Sequence, residues 1–152
     1  MSDQFPLMLA TEKDAYSRLQ QARSGEAHSV ALTIRGWKCK TESALHDEVG
    51  AALQFPDYYG ENWNAMDECI TDLSWLPADR YLIVVTGVES LLLADDAALR
   101  IFLSVLADAT GTWAGRGISF EVILSGDQAG LDRVSSVSAV AVQPGVGLDP
   151  IS

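Results

Sequence analysis

At 152 residues, with 48% hydrophobic and 20% charged side chains, the chain has the make-up of one ordinary folded domain and not of a disordered segment. Lys and Arg number 10 against 21 Asp and Glu, a formal net charge of −11, so nucleic acid and anionic lipid surfaces would repel it. No apolar run approaches the roughly 18 residues a membrane span needs, and Met1-Ser2-Asp3-Gln4 carries no basic stretch ahead of an apolar one. The expectation is a cytoplasmic protein without membrane contact.

Residues 1–28 are mixed and polar, with a short helix expected over Glu12 to Ala22 on the stripe Ala15, Leu19, Ala22. From Ser29 the alternation of Val30, Leu32 and Ile34, stopped by Gly36, reads as a strand. Thr41 is a good N-cap for an amphipathic helix carrying Leu45, Val49 and Leu53, which ends before Phe55-Pro56. His46, beside Leu45, is expected on its exposed side. A turn-rich loop with two adjacent aromatics, Asp57 to Asn62, leads into a second helix from about Asn62 to Leu73, buried along Trp63, Met66, Ile70 and Leu73.

Tyr81 to Val85 is a continuous apolar run, the pattern of a parallel strand buried on both faces. Asp95 or Asp96 can cap a third helix along Leu99, Phe102, Leu106 and Ala109, followed by a loop from Gly111 to Gly117 that contains Trp113. Ile118 to Leu124 is a further strand. After Gly126 the pattern weakens: a short strand over Ser138 to Val142 and a loose tail through Pro144, Gly145, Gly147 and Pro150 are expected. The order strand, helix, helix, strand, helix, strand implies an α/β fold with a small parallel sheet packed by helices.

Catalysis finds little foothold. Gly115-Arg116-Gly117 is too short for a dinucleotide loop and precedes a strand where such a loop should follow one. A nucleophilic triad could draw only on His28 and His46. Cys69 lies among Asp67, Glu68 and Asp72, acids that raise a thiol's pKa and work against a reactive thiolate. Cys39 and Cys69 show no CxxC spacing and read as buried free thiols, with no metal and no cofactor expected.

The polar side of the second helix is more telling. Glu61, Asn64, Glu68 and Asp72 fall at spacings of three, four and four, with Asp67 and Thr71 beside them. Like charges at such spacings weaken a helix, and Asp72 near its C-terminal end opposes the helix dipole. Between Lys40 and Arg100 the one basic residue is Arg80. A cationic partner would compensate this arrangement; a solvated acidic surface is the plainer alternative.

The run Phe55-Pro56-Asp57-Tyr58-Tyr59-Gly60-Glu61-Asn62-Trp63-Asn64-Ala65-Met66-Asp67-Glu68-Cys69-Ile70 resembles the central motif of barstar-type ribonuclease inhibitors, in which a Pro-acid-Tyr-Tyr-Gly-Glu-Asn stretch opens an acidic helix. Thr33-Ile34-Arg35-Gly36 and Leu45-His46 upstream, and Phe120 to Ser125 downstream, extend the likeness over roughly residues 30–125. The resemblance implies a three-stranded parallel sheet with helices in a three-layer-like arrangement. It also implies a domain over 29–125, with extensions at 1–28 and 126–152, the latter loose. The implied activity is that of a non-enzymatic, immunity-type inhibitor whose acids meet the Arg, Lys and His groups of a basic ribonuclease or toxin-type nuclease.

Tyr58 matches the family's interface tyrosine, and Glu68 stands where the family places its central, phosphate-mimicking aspartate. Asn64 stands at another aspartate position, Asp67 at an interface tryptophan, and Asp108 near a further acid on the next helix. The partner-binding surface so implied comprises Tyr58, Tyr59, Gly60, Glu61, Asn64, Asp67, Glu68, Thr71, Asp72 and Asp108. Glu68 adds a methylene, Asn64 loses a charge and Asp67 gains one, departures that point to a related but different nuclease. A monomer is expected. An acidic adaptor of the same fold, binding a basic protein that is not a nuclease, remains the alternative, and a small hydrolase using clustered carboxylates a more distant one.

Overall fold

The computed structural model describes residues 6–25, 28–140 and 142–143. In chain order these form β1 (Leu7–Ala10), α1 (Glu12–Ser24), β2 (Ser29–Arg35), α2 (Glu42–Ala52), α3 (Trp63–Ile70), β3 (Arg80–Thr86), α4 (Asp96–Gly115), β4 (Ser119–Ser125), α5 (Gln128–Val137) and β5 (Val142–Gln143). The strands make one parallel sheet in the order β2-β3-β4-β1-β5.

The expected α/β class and parallel sheet stand, but three strands are too few: β1 is a fourth full strand, and β5 adds a two-residue edge. β1 pairs with β4 from Leu7↔Val122 to Ala10↔Ser125, deep enough that Leu7 is fully buried. The sheet therefore draws on residues ahead of Ser29. Four apolar residues in a polar stretch are too short a run to stand out as a strand.

Side chains alternate across the sheet. Leu82, Val84 and Ile123 point to one side, where Ala15 and Leu19 of α1 cover them. Tyr81, Ile83 and Val85 point to the other, into the main core with α2, α3, α4 and α5. The result is three layers, with β3 buried on both faces as its unbroken apolar run requires.

The stretch Gly111 to Gly117 is not a loop until its end, since α4 runs on to Gly115. Each glycine costs a helix about 1 kcal/mol relative to alanine. Trp113 outweighs this: its ring is buried, lies parallel to Phe120 at 6.3 Å, and its indole N–H donates to the Ile70 carbonyl at 2.9 Å. Gly111 and Gly115 face open space, and the chain turns at Gly117 with φ +79°.

α5 gives a clear helix where the sequence pattern weakens. Asp127 caps it by accepting from Gly130 N at 2.7 Å, and Leu131, Val134 and Val137 are buried. Of the strand expected over Ser138 to Val142, residues 138–140 are not strand, and β5 shares only Val142 with it and adds Gln143; the expected loose tail from Pro144 lies outside the described residues. Cys39 and Cys69 are both free and buried, as expected. Burial is the first cause that pushes the Cys39 thiol up to about 12, with the Glu48 charge next.

Candidate partner-binding surface

The two adjacent tyrosines of the loop after α2 are put to opposite uses. Phe55 N–H donates to the Gly50 carbonyl at 2.8 Å and Tyr59 N–H to the Pro56 carbonyl at 2.9 Å, closing a compact turn. Tyr59 then faces inward, its ring edge-on to Phe55 at 4.8 Å and bonded through its hydroxyl to His46. Tyr58 faces outward and is 73% exposed.

His46 is not on an exposed side of α2, as expected from its neighbour Leu45: it is 2% exposed. Tyr59 and Trp63 close over it, with the Trp63 ring centroid 5.2 Å away. Glu42, one turn earlier on α2, lies 3.4 Å from Nε2. A carboxylate only accepts, so Nε2 carries the proton, and Nδ1 accepts from the Tyr59 hydroxyl. Burial pushes the Tyr59 phenol up, with smaller contributions from the charges around it, Cys69 and Glu61 first.

Gly60 and Glu61 lead from this turn into α3. Glu61 adopts a left-handed φ of +52°. Asn62 then caps the helix, accepting from Ala65 N at 2.8 Å while its amide donates to the Gly60 carbonyl at 3.3 Å. Met66, Cys69 and Ile70 turn inward, and Asn64, Asp67 and Glu68 outward. Trp63, expected in the core, is half-buried against it, 6.5 Å from Phe102.

α3 is shorter than its apolar spacing suggests. It ends at Ile70, with Thr71 as C-cap and Leu73 at φ +49°. The Thr71 hydroxyl donates back to the Asp67 carbonyl at 2.7 Å, and the Thr71 carbonyl accepts from Arg116. Asp72 lies beyond the helix and accepts from Ser74 N at 3.3 Å. Glu61 and Asp72 thus flank the helix, and the acids on it are Asp67 and Glu68.

Three of the sequence-derived positions meet in one groove. Asn64 and Asp67 from α3 and Asp108 from α4 line a cavity of about 490 Å³, whose apolar wall is Trp63, Ile101 and Val105. Tyr58, Gly60, Glu61, Glu68, Thr71 and Asp72 do not line it. Gly60, Glu61, Glu68 and Asp72 are exposed. Among the described residues, Glu61, Asp67, Glu68, Asp72 and Asp108 form no ion pair; the ion pairs are Arg18–Glu121, Arg35–Glu48 and Arg133–Asp96, and Glu42 meets His46 by a hydrogen bond. Among those residues there is also no grouping of three or more His, Cys, Asp or Glu that could hold a metal ion. Burial first, then Asp72 and Glu68, raises the Cys69 thiol, in the direction its acidic neighbours imply.

His46 is the residue sequence reasoning misplaced. Its signal was present as Glu42 four positions earlier, yet the aromatics that bury it arrive 13 and 17 positions later, beyond the reach of a helical pattern.

The chain is thus a three-layer α/β domain with an aromatic turn and a short acidic helix on its surface. The chain belongs to the barstar family: the model described as "Barstar (barnase inhibitor)" matches residues 30–125. Members of that family are inhibitors and not enzymes, and they bind ribonucleases as protein partners. A Bacillus subtilis (strain 168) protein named "Putative ribonuclease inhibitor YrdF" is 39% identical over 46 residues, 30% of this chain and 50% of that relative. The match thus spans half the length of that relative. Among solved structures, a chain of Drosophila ORC bound to AT-rich DNA and Cdc6 is similar at TM-score 0.49 and 15% identity, over 87% of this chain and 47% of that one. A chain of Drosophila ORC bound to DNA is similar at TM-score 0.49 and 13% identity, over 99% and 85%. Likeness at that level carries no functional argument. No helix among the described residues is long and apolar enough to cross a membrane.

Proposed function

We propose that this chain is an intracellular, immunity-type inhibitor of a basic ribonuclease, and that it occupies the enzyme's active site with the loop from Tyr58 and with α3. One observation carries the reading: Asp67 and Glu68 stand outward on α3, flanked by Glu61 and Asp72, and none of the four is paired with a basic side chain among the described residues. In the free protein these carboxylates are hydrated. Against a nuclease they take the place of RNA phosphates and meet the cations that would bind them. Tyr58 supplies a rigid aromatic contact beside them. Asn64, Asp67 and Asp108 extend the contact into the groove between α3 and α4.

Complementary charge speeds the encounter, and salt slows it. Glu68 is the central mimic, and its added methylene and the Asn64 and Asp67 departures tune the surface to a nuclease other than barnase. Glu68→Ala should weaken binding to the nuclease recovered from native lysate by about 2–5 kcal/mol, a range to which barnase–barstar measurements themselves contribute. Titration calorimetry of both proteins, with thermal unfolding alongside, reads this. Equal binding by variant and wild type would overturn the reading, provided both are folded.

A further inference from the structure

Among the described residues, β2 is the outermost strand on one side of the sheet and pairs with β3 alone. On the other side β5 offers two described residues, so β2, at seven, is the long free edge. Its sequence, Ser29-Val30-Ala31-Leu32-Thr33-Ile34-Arg35, is rich in β-branched residues and bears charge only at its last position. Such an edge is a template for a strand from another molecule.

In a parallel strand, the N–H and C=O of one residue point to the same side, and the side alternates along the chain. Here the alternation can be read directly. His28 C=O accepts from Asp79 N at 2.8 Å, towards β3, whereas Arg35 N–H donates to Glu48 Oε2 at 3.0 Å. Ser29, Ala31, Thr33 and Arg35 therefore turn their polar backbone groups outward.

Side chains already occupy that outward row at two places. Arg23, near the end of α1, donates to the Ala31 carbonyl from Nε at 3.4 Å and Nη2 at 3.2 Å. Glu48, on α2, takes the Arg35 N–H, and the Arg35 guanidinium grips the same carboxylate at 2.8 and 2.9 Å. The Cys39 thiol donates to the Arg35 carbonyl at 3.3 Å. Caps thus stand four residues apart, at Ala31 and Arg35, with Thr33 between them. A strand pairing along Ala31 to Arg35 would have to displace both.

We propose that Arg23 and Glu48 close the free edge of β2 against strand addition, so that a second copy of this chain cannot continue the sheet. The two helices that carry the caps lie on opposite layers, and the edge is held from both sides.

The test is sedimentation velocity of the full chain, wild type against Arg23→Ala/Glu48→Ala, over a concentration series. The double variant should self-associate with a constant raised by about tenfold or more, since each removed cap frees a backbone group for pairing. Adding Thr33→Pro, which deletes an outward N–H without breaking the β3 ladder, should restore wild-type sedimentation. A folded double variant that sediments like wild type overturns the proposal. So does association that survives Thr33→Pro. Arg23→Ala alone, at an exposed helix end, provides the same readout if the double variant fails to fold.

Discussion

The molecule treats its cations and its acids differently on its two sides. Around α1, α5 and the edge of the sheet, arginines act as clamps. Arg18 pairs with Glu121, Arg35 with Glu48 and Arg133 with Asp96, while Arg23 and Arg100 donate to the carbonyls of Ala31 and Val137. Around α3 the acids form no ion pair among the described residues: Arg116 goes to a backbone carbonyl at the helix's end, and Arg100, which lines the groove beside Asp67, donates to the Val137 carbonyl. The clamped side gains its stability within the chain. The α3 side has its inward residues for stability and its outward residues left over, and that division makes it suited to an external cation.

Changes on α3 should separate the two kinds of residue most sharply. Ile70→Ala, facing inward and fully buried, should cost about 2–5 kcal/mol of stability in denaturant unfolding. That is a large loss from a helix whose outward Glu68 should be nearly silent in the same assay.

A smaller effect is expected at the loop. Tyr59→Phe keeps the ring but leaves His46 Nδ1 without its donor in a buried setting, which should cost about 1–3 kcal/mol. If the turn is held by this bond, amide exchange over residues 55–61 should accelerate while β3 is unchanged. Uniform acceleration would break the link between His46 and the loop.

On the clamped side, the hydrogen bond from Arg35 holds the Glu48 carboxyl below the ordinary carboxylate range. A depressed folded-state pKa contributes stability that is complete above the unfolded value of about 4.3 and fades as pH falls through the folded one. Glu48→Gln should therefore lower the thermal midpoint near neutral pH and narrow its gap to wild type as the pH drops below about 4. A gap that does not change with pH would show that the ionisation of Glu48 contributes nothing to the acid limb.

The smallest effect has the opposite sign. Asp67 sits in the last turn of α3, where a negative charge opposes the helix dipole, so Asp67→Asn should stabilise the free protein by about 0.3–1 kcal/mol. The same change should weaken partner binding. Stabilisation without any loss of binding would remove Asp67 from the interface.

Much of this was legible in the sequence because the signals were local. The unbroken run Tyr81 to Val85 gave a doubly buried strand, Thr41 and Asn62 gave helix caps, and Asp95 capped α4. The acids of α3 and its inward stripe of Met66 and Ile70 followed from spacing. What escaped depended on residues distant in sequence. β1 is a strand because β4 and β5 flank it, and α4 passes Gly111 because Trp113 reaches Ile70 and Phe120. His46 is buried by an aromatic turn beyond its own helix. The end of α3 at Ile70 was hidden by Leu73, whose apolar side chain continues the helical rhythm after the backbone has left it.

The central claim is that the unpaired acids of α3 serve a nuclease. Its most direct test is to capture partners from native lysate at low salt, release them at high salt, and assay ribonuclease activity before and after release. The account predicts a basic nuclease that is silent in the complex and active once freed. A basic partner with no ribonuclease activity in either state would contradict it, and would leave the fold as that of an acidic adaptor.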